Sequence, residues 1–250
     1  MYPEDKTPPT IPPAGFEPLE GGAGLSNVLN KLLKKPLSLV HHLQNHEDRG
    51  KLPVRLLVIT ILALAVFGLV AGSFSAGSQL WAAPVKMIAG LLLAALLCLP
   101  SLYIFTCLGG IEARFLTVAG MLCAVLALVA VLLVGFAPVV WLFSVSSTSL
   151  AFMGFLLVVL WLICAGFGLL LIFRGGKALG MTASGHMCVW GLVFLLVTLQ
   201  MPTTLRPIIG PGNGSFLNLH EKRFFLGYWI EQFSTEIDPE ASRTGNAEGE

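Results

Sequence analysis

Residues 68–110 read GLVAGSFSAGSQLWAAPVKMIAGLLLAALLCLPSLYIFTCLGG. The stretch joins the end of one apolar run, a turn of small residues, Lys86, and a second apolar run interrupted by Pro100. No charged residue follows Lys86 until Glu112. A run of that length without charge is what about 30 Å of hydrocarbon demands of a spanning segment. Lipid offers the backbone no water to bond, so such a segment must bond internally as a helix.

The same pattern repeats on both sides. Apolar runs over residues 54–71, 84–108, 115–136, 150–173 and 183–199 give five expected spans within a bundle over 51–201. The expected fold class is therefore all-α, a polytopic helical membrane bundle of about five transmembrane helices. Composition agrees. Hydrophobic residues make up 55% of the 250 residues and charged residues 12%, about half the share of an ordinary soluble chain. Of 14 acidic residues, only Glu112 lies between Asp48 and Glu221, so a soluble surface could not be built from this stretch. The segment 137–144, AlaProValValTrpLeuPheSer, is too short to span and is expected as an interfacial or re-entrant helix after the third span.

Outside the bundle the chain changes character. Residues 1–23 contain TPPTIPP and read as a disordered, Pro-rich tail. No short apolar core with a cleavage site precedes the first span, so that span is expected to act as the insertion signal. Residues 24–50 carry Leu25, Val28, Leu29, Leu32 and Leu33 at helical spacing, then Pro36, then Leu37, Val40 and Leu43. These are expected to form two amphipathic helices on a membrane surface, with Lys31, Lys34 and Lys35 among the headgroups. Residues 202–237 are expected to hold an amphipathic helix with Phe225, Trp229 and Phe233 on one face, followed by a disordered tail over 238–250.

The basic residues set an expected orientation. Lys31, Lys34, Lys35, Arg49, Lys51 and Arg55 precede the first span, Arg114 follows the second, and Arg174 and Lys177 follow the fourth. The positive-inside bias then predicts a cytoplasmic N-terminus and an outer C-terminus, in a bacterial inner membrane.

Several residues are candidates for contacts. Lys86, Arg206 and Trp229 fall on the predicted outer side, where a lysine near a span end ordinarily extends to the headgroups and an outer anionic lipid or partner contact is conceivable. Pro100 predicts a kink, with Tyr103 and Thr106 placed to satisfy freed backbone groups or bond a neighbouring helix. His186 and Gln200 are expected as interhelical hydrogen-bond partners. Gly68 and Gly72 form a GxxxG pair suited to close packing within the chain or, less readily, to a dimer face.

Other chemistry lacks its residues. The five cysteines lie in apolar runs without metal or disulfide spacing, and His41, His42 and His46 have no further ligands arranged beside them. No nucleotide-binding loop, HExxH pair or GxSxG elbow is present, and no carboxylate lies within a span. Net charge of +1 gives no basis for nucleic-acid binding. We therefore expect no enzyme activity, no cofactor and no metal. The expected partners are the lipid bilayer and other membrane proteins or a second copy of the chain.

Some stretches resemble a known family. Asn27 to Leu43 with Pro36, the residues Gly72-Ser73-Phe74, Gln79 and Lys86, and LeuProSerLeuTyrIlePhe at 99–105 are similar to bacterial members of the Yip family. Residues 137–144 and ThrLeuArgProIleIleGly at 204–210 resemble a group of uncharacterised multi-span proteins. The resemblance covers residues 25–233 and implies about five spans, a cytoplasmic N-terminus and a role in membrane organisation or trafficking. Eukaryotic members engage small GTPases through the N-terminal region, but the acidic-aromatic motif associated with them is absent here. No functional residue carries over. The expected function is an interaction or assembly subunit, the alternative a channel or permease for a small neutral or anionic solute.

Overall fold

The computed structural model describes residues 24–45, 51–73, 79–110, 114–147, 150–181 and 185–204. All secondary structure among them is helical: α1 (Leu25–Lys34), α2 (Pro36–Asn45), α3 (Lys51–Gly72), α4 (Gln79–Leu108), α5 (Phe115–Ser146), α6 (Leu150–Ala178) and α7 (Gly185–Thr204). Four stretches are long and apolar enough to cross a membrane: Lys51–Gly72, Ala83–Leu108, Phe115–Ser146 and Phe152–Ala178. The apolar part of α7, Gly185–Gln200, is shorter, about 24 Å at 1.5 Å per residue. The molecule is a membrane-integral helical bundle, with five apolar helices as expected and the fifth the shortest.

The third apolar helix differs from expectation. Residues 137–144 form no separate re-entrant element; α5 runs unbroken through Pro138 to Ser146. Its 32 residues measure about 48 Å, more than the hydrocarbon thickness. A proline removes one helix hydrogen bond. Leaving the helix in lipid would strand several more backbone groups, so continuing it costs less. The same argument covers Pro84 and Pro100, which both lie inside α4.

α5 is the centre of the bundle. It packs against α1, α2, α3, α4 and α6, while α3 lies between α5 and α4, and α7 sits chiefly on α4. From Thr117 to Leu133 no residue of α5 is exposed. Two helix ends, those of α4 and α6, close on a left-handed glycine. Gly180, with φ of 91°, closes α6 while Gly180 N–H donates to Lys177 O and Met181 N–H to Gly176 O. That is the paired bonding which satisfies a helix's last carbonyls, and it favours glycine at the left-handed position. Gly110, with φ of 84°, follows α4 in the same conformation.

The N-terminal helices are built into this core. Lys35 separates them with a non-helical backbone, φ −142° and ψ 65°, and Pro36 opens α2 where its missing N–H costs nothing. Lys35 O accepts both Ser38 N–H (3.0 Å) and Ser38 Oγ–H (2.8 Å), which holds the corner. Val28, Leu32, Leu39 and Leu43 are fully buried against the bundle. Leucine and valine expected to face lipid on this stripe thus face protein. Leu43 fills the notch over Gly120 of α5, where an added Cβ would lie 2.6 Å from Leu43 Cδ2. Leu43→Ala should therefore destabilise the detergent-solubilised chain by about 2–4 kcal/mol in thermal unfolding. Gly120→Ala should cost measurably less in that background than in the parent, since its obstacle is gone.

Candidate functional site

Three levels of α4 carry the residues singled out from the sequence. At one end, Gly68 of α3 meets α4 so closely that a Cβ would lie 2.4 Å from Pro84 Cα and 2.9 Å from Pro84 N. Small residues at a helix crossing allow this approach. The Gly68 pair thus serves packing inside the chain. Two residues on, Lys86 is only 5% exposed. It belongs to the buried stripe of α4 with Ala83, Gly90, Ala94 and Cys98, so its side chain does not extend outward to headgroups as expected. An amine-reactive ester applied to the detergent-solubilised chain should modify the exposed Lys34, Lys35, Lys51 and Lys177 and leave Lys86 intact. Peptide mass mapping reads the result.

Midway along α4 lies a contact that the sequence reading missed. Trp190 of α7 is fully buried and donates its indole Nε1–H to the carbonyl of Cys98 at 3.2 Å. Ser101 Oγ–H donates to the same carbonyl at 2.8 Å. Trp190 stacks on Phe194 with ring centroids 5.1 Å apart, and both side chains are buried. A tryptophan in mid-span, away from the interface where its ring ordinarily sits, needs a buried acceptor. That position was the available signal. Pro100 lies two residues past Cys98 and is itself exposed.

At the far end of α4, Thr106 Oγ1–H donates to Leu102 O in its own helix at 2.7 Å, so it does not bridge helices. Tyr103 does reach a neighbour, meeting Phe115 of α5 edge-on with centroids 5.6 Å apart. His186 is exposed in the first turn of α7 and makes no hydrogen bond among the described residues, contrary to the interhelical role expected of it. Arg206 and Trp229 lie outside the described residues, as do His46 and the proposed aromatic tail helix.

The buried polar inventory is small. Among the described residues it consists, besides Lys86, of Thr60, Thr106, Thr117 and Thr198. Thr60 donates to Leu56 O at 2.8 Å and Thr198 to Phe194 O at 2.8 Å, each within one helix. The hydroxyls of Thr60, Thr106 and Thr198 are thus spent on the preceding turn of their own helices. Among the described residues no group of three or more His, Cys, Asp or Glu side chains could hold a metal.

Charge is concentrated elsewhere. Lys31, Lys34, Lys35, Lys51, Arg55, Arg114, Arg174 and Lys177 sit on α1, at the starts of α3 and α5, and at the end of α6. Gly68 beside Pro84, Tyr103 beside Phe115 and Gly168 beside Val125 and Val129 set α3 to α6 antiparallel in chain order, and Leu43 on Gly120 puts α2 at the start of α5, which brings those positions to one end of the bundle. No acidic residue occurs among the described residues.

The class defined by these features is a helical membrane bundle with an apolar interior and one basic end. No family model, curated protein or solved structure matches the chain.

Proposed function

We propose that this chain is a non-enzymatic integral membrane protein that serves as an interaction or assembly subunit and helps to organise the membrane around it. The observation that carries the reading is how the interior is used. Buried threonines bond their own helices, and Trp190 with Phe194 fills the α4–α7 interface. Chemistry needs convergent polar groups; this interior invests its side chains in packing. Function then falls to the surfaces: the docked α1–α2 pair, the Pro-rich N-terminal tail and the aromatic C-terminal segment. A bacterial inner membrane location with the N-terminus cytoplasmic belongs to the proposal, supported by the basic residues of that end. So does kinship with the Yip family. Cross-linking in native membranes followed by purification and native mass spectrometry tests the reading. A defined partner or a homo-oligomer is the expected result; a chain that emerges alone with no self-association overturns it.

One observation favours the second reading, an anion or neutral-solute permease. Lys86 is a cationic side chain buried near the end of a spanning helix, and ionisable groups at that depth commonly mark solute paths. Efflux of chloride and glycerol from proteoliposomes tests it. Flux that the chain raises and Lys86→Met abolishes would establish the permease; flux equal to empty liposomes would remove it.

A further inference from the structure

We infer that the α1–α2 pair is a clamp for anionic phospholipid, holding the headgroups of the adjacent leaflet against the basic end of the bundle. The inference stands apart from the assembly reading and rests on two features of the pair.

The first is a second set of apolar side chains. The stripe Val28, Leu32, Leu39 and Leu43 is consumed by the bundle. Three other leucines, Leu25 and Leu33 of α1 and Leu37 of α2, are exposed at 47%, 50% and 41%. Half-exposed leucines on a docked element are costly in water and favourable in the acyl boundary of a bilayer. Lys34 and Lys35, both exposed, stand between Leu33 and Leu37 in the chain. Exposed leucines with lysines between them match the boundary between acyl chains and headgroups, with the lysine stems along the lipid and the ammonium groups among the phosphates.

The second feature is charge. The pair docks on α3, α5 and α6, whose ends here carry Lys51, Arg55, Arg114, Arg174 and Lys177. Across this end the described residues carry eight basic side chains, these five with Lys31, Lys34 and Lys35, and no acidic one; Glu47, Asp48, Arg49 and Glu112 lie outside the described residues. A concentration of that size, next to exposed leucines at interfacial depth, is complementary to an anionic leaflet. An acidic protein surface would match the charge but would give the leucines no acyl boundary.

The experiment uses the full chain in nanodiscs of equal phosphatidylcholine and phosphatidylglycerol. Partial delipidation in mild detergent is followed by mass spectrometry of the retained lipid. Retained phosphatidylglycerol should exceed phosphatidylcholine at 0.05 M salt, and the excess should vanish at 0.5 M, where screening shortens to a few ångströms. The double variant Lys34→Gln/Lys35→Gln should lower the excess by about fivefold per lysine, following the usual contribution of a basic residue at an anionic surface. Lys6→Gln/Arg243→Gln removes the same charge elsewhere and should leave it unchanged. Equal retention of the two lipids by the parent chain overturns the inference. So does an excess that the α1–α2 variant leaves intact, or one displaced by millimolar glycerol phosphate, which would indicate a small-anion site. The salt series on the unaltered chain decides the matter should the variant fail to fold.

Discussion

Gly68→Ala should lower the melting temperature of the detergent-solubilised chain by roughly 5–10 °C. The added methyl would stand 2.4 Å from Pro84 Cα, 2.8 Å from its Cβ and 2.9 Å from its N. Two of those atoms belong to backbone, and the third to a ring that cannot rotate away. Relief therefore requires α3 and α4 to separate along their crossing. Overpacking a tight interface costs on the order of 1–3 kcal/mol or more, and each kcal/mol shifts the midpoint by about 2–4 °C for a chain of this size. Gly166→Ala is the matched control, since nothing lies within 4 Å of a Cβ there. It removes a helix-interior glycine worth up to about 1 kcal/mol against alanine, so its midpoint should hold or rise slightly. Equal melting of Gly68→Ala and the parent would mean that the close crossing of α3 and α4 does not exist in solution.

That crossing was open to inference from sequence, because Gly68 and Gly72 recur at the spacing that places both on one helix face. The spans were legible for a similar reason: uninterrupted apolar length is a direct consequence of hydrocarbon thickness. Where sequence reasoning failed, it lacked the rotation of a helix about its axis. Lys86 lies close to a span end, which suggested headgroups. Its neighbours on the buried stripe are Ala83, Gly90 and Ala94, a row of small residues that marks the face turned to other helices. Reading that row first would have put Lys86 inside. The continuation of α5 past Pro138 was hidden because residues 115–136 already suffice to cross the hydrocarbon, so 137–144 was read as a separate segment too short to span. The docking of α1 and α2 was hidden because a buried stripe and a lipid-facing stripe have the same composition. Only the notch at Gly120 distinguishes them, and it belongs to a helix some 77 residues away from Leu43 in sequence.

Trp190→Ala should be the most damaging single truncation in α7, costing about 3–5 kcal/mol, the usual loss for a buried large aromatic. α7 is held chiefly by α4, and Trp190 supplies both its largest fully buried side chain and its cross-helix hydrogen bond. Trp190→Phe separates the two contributions. The phenyl ring keeps most of the volume and the stacking on Phe194 but has no N–H to give to Cys98 O. That carbonyl still receives Ser101 Oγ–H, so it is not left bare, and the loss should stay near 1 kcal/mol. Combining Trp190→Phe with Ser101→Ala removes both side-chain donors and should cost more than the sum of the single changes, with a coupling of about 0.5 kcal/mol or more. Thermal unfolding in one detergent, with hydrogen exchange over 185–204, reads all four variants. Should the phenylalanine variant prove as unstable as the alanine variant, the hydrogen bond would carry α7 and the ring volume would not. The void left by Trp190→Ala also bears on permeation. Phe194 and the Cys98 carbonyl, which keeps Ser101 Oγ–H as its donor, border it, and one polar group offers a water too few partners to hold it. The truncated chain should therefore lose stability without gaining flux in proteoliposomes; glycerol passage through Trp190→Ala, absent from the parent, would mean that the tryptophan closes a path between α4 and α7.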